Sequence, residues 1–133
     1  MSVSESFLTA VREALAFVPD YRERKMFGAV GVYTGDRMFA IADDDALYLK
    51  GDAQNRAAFE AAGSGLFVYA VEDGVEKTLN YWRAPEAVFD DPQEARLWAG
   101  LGIEAALRAA RPKGRKGAVA SPQDVGPGPW SEP

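Results

Sequence analysis

The side chains available for chemistry are carboxylates, amines, guanidinium groups, hydroxyls and aromatic rings, because the 133-residue chain contains neither His nor Cys. Without imidazole or thiol it builds no Ser-His-Asp or Cys-His nucleophile, no zinc finger, no facial iron triad, no haem ligand pair and no CxxC redox site. Among its 20 acids, no spacing singles out two as a glycoside-cleaving pair. Asp43-Asp44-Asp45 offers oxygen ligands of the type calcium or magnesium takes. It lacks the spaced acids, glycine and distal Glu of a calcium loop and reads as a turn. Gly28-Ala29-Val30-Gly31 lacks the third glycine of a dinucleotide fingerprint and the Lys-Ser/Thr ending of a phosphate loop. The expectation is a chain without catalytic residues, metal or cofactor.

What remains is binding chemistry. Tyr48 and Lys50 alternate with Leu47 and Leu49, so in a strand they share one face; Tyr81 and Arg83, flanking Trp82, extend the pattern. Rings interleaved with cations suit a ligand or a stacked base, although a half-buried sheet with long polar rims accounts for them more simply. Arg24 and Lys25 are candidates for holding an anion, with solvation of a strand entrance as the plainer role. Met26-Phe27-Gly28 beside them reads first as a core strand and, alternatively, as an exposed partner-binding edge.

Charge narrows the partners. The net charge is -5, yet Arg111, Lys113, Arg115 and Lys116 lie in the last 23 residues with only Asp124 and Glu132 as acids. Residues 1–110 therefore carry a net charge of -7, the wrong sign for tracking phosphates. Direct nucleic-acid binding is kept as the alternative for Arg111, Lys113, Arg115 and Lys116, which Pro and Gly dilute below a usual basic block. The rest of the tail is rich in Pro, Gly and Ser, with Trp130 as a possible anchor. The N-terminus does not read as a targeting segment and no apolar window reaches the ~18 residues of a membrane span, so a cytoplasmic protein without membrane contact is expected.

These side chains need elements to position them. Ser2 and Glu5 form a capping-box pattern ahead of Phe7, Leu8, Val11, Leu15 and Val18 at helical spacing, with Pro19 as the stop. From Met26 the period changes to that of strands: Val30 to Tyr33, Met38 to Ile41 and Leu47 to Lys50, separated by Thr34-Gly35-Asp36 and the three Asp. A helix capped by Asp52 follows, with Ala58, Phe59 and Ala62 inward and Gly63-Ser64-Gly65 as its end. Leu66 to Val71 and Lys77 to Arg83 are two strands around Asp73-Gly74. Asp91, Pro92 and Glu94 open a last helix, whose buried stripe is expected at Leu97, Trp98, Leu101 and Ala105. The order α-βββ-α-ββ-α implies a two-layer α+β fold with one antiparallel five-stranded sheet, in a domain spanning 1–110 before a flexible tail at 111–133.

Three segments together carry a likeness: Arg24 to Tyr33 with its Met26-Phe27-Gly28, then Gly35 to Ala40, then Leu47-Tyr48-Leu49-Lys50. Followed by Phe59, Gly63, Phe67, Tyr69, Tyr81-Trp82, Pro85 and Asp91-Pro92, they strongly resemble the N-terminal domain of the TfoX/Sxy family of competence regulators over about residues 5–110. Ala29 departs from the second glycine common in that family, and the 23-residue tail does not supply the helical second domain of its two-domain members, so a stand-alone N-domain is expected. The resemblance implies a secretion-chaperone-like α+β fold and a regulatory role in competence-gene transcription, with no catalytic residues. The leading expectation is a regulatory or adaptor domain whose protein partner, with the transcription machinery as the candidate, contacts Arg24, Lys25, Met26, Phe27, Gly28, Tyr48, Lys50, Tyr81 and Trp82. A small-ligand binding domain is the other alternative, and a strand edge offers a route to a homodimer.

Overall fold

A computed structural model describes residues 3–109. Their elements run α1 (Glu5–Ala14), β1 (Tyr21–Met26), β2 (Ala29–Thr34), β3 (Arg37–Asp43), β4 (Ala46–Lys50), α2 (Arg56–Ala61), β5 (Leu66–Glu72), β6 (Val75–Arg83), a 3-10 turn (Glu86–Phe89) and α3 (Pro92–Ala109). The strands form one antiparallel sheet in the order β1-β2-β3-β4-β6-β5. The fold is α+β as expected, with six strands rather than five.

The additional strand is β1. Arg22-Glu23-Arg24-Lys25 gives hydrophobic alternation nothing to detect, and the segment pairs from Tyr21 opposite Thr34 to Met26 opposite Ala29. An edge strand tolerates this composition, because charges there keep other strands from adding to it. Phe27 and Gly28 join β1 to β2 as a two-residue turn, both with positive φ (52° and 82°), the pattern of the hairpin turn that matches strand twist. Asp44-Asp45 and Asp73-Gly74 repeat it at the β3–β4 and β5–β6 connections.

All three helices lie on one face. Leu8, Val11 and Leu15, Phe59, Val88 and the α3 alanines pack with Val30, Val32, Phe39, Leu47, Leu49 and Trp82. A second, smaller core of Ala29, Ile41, Phe67, Leu79 and Tyr81 occupies the opposite face and is built from strand residues alone. The cap of α1 is Ser4, whose Oγ accepts from the Phe7 amide at 3.1 Å; Ser2, expected in that role, lies outside the described residues. Asp52 caps the turn that leads into α2, accepting from the amides of Gln54 and Asn55 at 3.0 and 3.1 Å. The N-cap position of α2 itself is Asn55.

The stripe of α3 differs from expectation. Leu97 is 54% exposed, and the sheet is met by Ala95, Ala99, Gly102 and Ala106, with Ala105 also buried. The reason is distance: a Cβ on Gly102 would stand 3.1 Å from the Phe39 carbonyl oxygen and 3.3 Å from the Lys50 nitrogen. A leucine-sized side chain does not fit between this helix and the sheet. Trp98 and Leu101 flank the contact, half-buried as part of the same core.

Candidate functional site

Pairing register assigns each candidate to a face, because directly opposed residues project to the same side of a sheet. The face without helices carries Arg22, Arg24 and Met26 from β1, opposite Tyr33, Gly31 and Ala29 of β2. It continues through Met38 and Ile41 of β3 to Tyr48 and Lys50 of β4, which stand opposite Arg83 and Tyr81 of β6. The aromatic-basic pattern at Tyr48, Lys50, Tyr81 and Arg83 is thus one surface, and Arg24 and Met26 extend it to the β1 edge.

Two of its cations are laid over rings. The Arg24 guanidinium is 5.8 Å from the centroid of Tyr33, and the Lys50 ammonium is 5.3 Å from that of Tyr81. Such contacts orient a cation over the face of its ring. Tyr48 tilts against Phe67 with ring centroids 4.8 Å apart. Gly31 supplies room for two methionines: a Cβ there would meet Met26 Cε at 2.7 Å and Met38 Sδ at 2.8 Å. Ile41, Tyr81 and Phe67 are buried beneath, while Tyr48, Met26 and Met38 are half-buried.

The remaining candidates lie elsewhere. Phe27, expected first in a core strand, is 70% exposed at the tip of the β1–β2 hairpin with Gly28, because it falls in the two-residue turn and not in a paired strand position. Lys25 projects to the opposite side of β1 from Arg24. Trp82 is buried under the helices, stacked on Phe59 with centroids 6.0 Å apart and its Nε1 donating to Asn80 Oδ1 at 3.0 Å. It serves the core. Arg111, Lys113, Arg115 and Lys116 lie outside the described residues. Tyr33 and Met38 complete the surface and were not selected from sequence; the alternation Ala29-Gly31-Tyr33 was the available signal.

Two polar clusters with shifted titration lie on the other side and are structural. Arg12 on α1 donates to both oxygens of Glu23 at 2.8 Å, which holds that carboxyl below its ordinary range. Tyr21 donates to Glu23 at 2.8 Å; burial, then this bond, pushes its hydroxyl well above its ordinary value. At the end of α3, Arg108 donates to both oxygens of Asp52 at 2.7 and 3.0 Å. Burial works against the Asp52 charge, but this bond and two backbone amides outweigh it, so the carboxyl stays below its ordinary range. Of the three consecutive acids, Asp44 and Asp45 form the expected turn while Asp43 ends β3, and Asp45 accepts from the Ser4 amide at 3.1 Å. Among the described residues, no helix is long and apolar enough to cross a membrane.

The helix-free face thus combines four cations, two of them set on rings, with a methionine floor. Residues 13–106, which include every residue of that surface, match the family of the TfoX N-terminal domain. The chain is also similar to the DNA transformation protein TfoX1 of Aliivibrio fischeri, with 33% identity over 66 residues. That alignment takes in 50% of this chain and 31% of the relative, so the chain matches about a third of that protein's length.

Proposed function

Because this chain belongs to the TfoX N-terminal domain family, we propose that it is a non-enzymatic regulatory domain of DNA transformation, acting through protein contacts in the control of transcription. The observation that carries the reading is the family match over 13–106, supported by the name of the Aliivibrio fischeri relative. A body built from residues 1–110, with a net charge of -7, favours a protein partner over a bare nucleic-acid surface. The chemistry of the helix-free face also suits contact rather than catalysis, since its cations are Arg and Lys, with Arg24 and Lys50 set on rings.

The test couples a cellular readout to a biochemical one. In the source cell, deleting the gene is expected to lower transformation frequency and the transcripts of DNA-uptake genes. Affinity capture with the tagged chain is expected to retain a transcription protein, and the double variant Arg24→Glu Tyr48→Ala to lose it. Unchanged transformation and transcripts in the deletion strain would remove the reading.

A further inference from the structure

We propose that the helix-free face docks an extended acidic segment of the partner protein, one carrying an aromatic or large apolar anchor between its acids. The inference rests on the protein-contact reading above and specifies what that partner presents.

The first argument is the segregation of charge. Residues 1–110 hold eighteen acids against eleven bases. Yet across β1 to β4 and the Tyr81–Arg83 end of β6, register places Arg22, Arg24, Lys50 and Arg83 on this face with Asp43 as the one acid. Arg22 is engaged by Asp20 at 3.2 Å, while Arg24 and Lys50 are held over rings. A basic surface on an acidic body attracts anions locally and repels them elsewhere, which guides a short acidic segment to one place.

The second argument is the floor. Met26 and Met38 converge over Gly31, beside Tyr33 and Tyr48. Thioethers and aromatic faces accept apolar side chains of varied shape, which a peptide supplies and a phosphodiester backbone does not. Spacing agrees. Four inter-strand gaps separate Arg24 on β1 from Arg83 on β6, about 19 Å at the usual strand spacing and shorter on a coiled sheet, a length that ~6 extended residues span. Acids at both ends of such a segment reach Arg24 and Arg83 while its centre lies over Met38 and Tyr48.

A third observation is independent of charge. Phe27 lies in the turn at the end of the β1–β2 hairpin, 70% exposed, at φ 52°, where Asn or Gly relieves the backbone.

The test is fluorescence anisotropy with the full chain and a short fluorescein-labelled peptide bearing Asp and Glu on both sides of one Trp. Its Asn/Gln isostere and an oligothymidine are the comparison probes, and circular dichroism melts establish that each variant folds. The acidic peptide is expected to bind, more weakly as salt rises. Arg24→Glu and Arg83→Glu are each expected to weaken it about tenfold or more, a loss of ~1.4 kcal/mol. Lys25→Glu, the same charge change on the opposite side of the same strand, is expected to leave it unchanged. Equal binding of the isostere would overturn the acidic specificity and leave the protein-contact reading standing. Equal loss in Lys25→Glu, tighter binding of the oligothymidine, or no binding of the acidic peptide would overturn the proposal. Binding seen only after Trp130→Ser would assign the face to the chain's own segment and overturn an external occupant.

Discussion

At Phe27 the requirements of backbone and side chain conflict. Its φ of 52° favours Asn or Gly, and at 70% exposure the ring gains little by burial. Phe27→Asn is therefore expected to stabilise the fold by about 0.5–1 kcal/mol, read as a higher denaturation midpoint. The same substitution is expected to weaken partner capture, and a variant that is stabilised with capture intact would show the ring to be incidental. Gly51 presents the opposite case. A Cβ there would stand 2.5 Å from Trp82 Cδ1 and 2.7 Å from Asn80 Oδ1, against a ring buried and stacked on Phe59. Gly51→Ala is expected to cost about 1–3 kcal/mol through the displaced indole and its bond to Asn80, with a loss of near-ultraviolet dichroism from Trp82. Both constraints are invisible in sequence, where Gly51 reads only as the end of a strand.

Among the elements, α3 decides how the site is supported. It lies against β3 and β4, and β4 carries Tyr48 and Lys50. Gly102→Leu is expected to push the helix from the sheet and destabilise the fold by several kcal/mol, of order 3, because the atoms it meets belong to the backbone of both strands. The far end of α3 is tied by the Arg108–Asp52 pair and by Asn55, whose amide nitrogen donates to the carbonyls of Lys50 and Leu101, each at 3.1 Å. Truncating Arg108 to Ala is expected to cost about 1–2 kcal/mol, since it removes two charge-assisted bonds from a half-buried carboxylate.

The same elements set the response to acid. Asp52 and Glu23 titrate below their ordinary values when folded, so their contribution is present above about pH 4 and is lost as pH falls through the folded values. Melting temperature is expected to fall from pH 7 towards pH 3, with a shallower fall in Glu23→Gln Asp52→Asn. A parallel fall in that variant would place the acid sensitivity in other carboxylates.

At the scale of the whole molecule, the described residues form a sheet with two unlike faces, one covered by three helices and one left to strand side chains. The proposed partner contact lies on that second face, so the faces predict separable phenotypes. Arg24→Glu and Tyr48→Ala are expected to reduce transformation frequency with the melting temperature within a few degrees of the parent. Trp82→Ala is expected to reduce both, because it opens a cavity in the larger core. Equal loss of stability in both sets would mean that the helix-free face holds the fold and not a partner.

Much of this architecture was legible in the chain. Asp73-Gly74 announced its hairpin, Asp91-Pro92 the start of α3, and the absence of His and Cys set the chemistry apart from thiol and imidazole catalysis. These are local properties, fixed by φ preference, by capping and by functional-group inventory. Alternation likewise placed Tyr48 with Lys50 and Tyr81 with Arg83, since side-chain direction in a strand has period two. What the tertiary structure alone decided is relational. That Arg24 faces Tyr33 while Lys25 faces away, that Trp82 is core while Tyr81 bears Lys50, and that Phe27 stands in a turn all depend on register and strand order. The charged β1 belongs to the same class, because a strand without apolar alternation is specified by its partner β2 and not by its own residues.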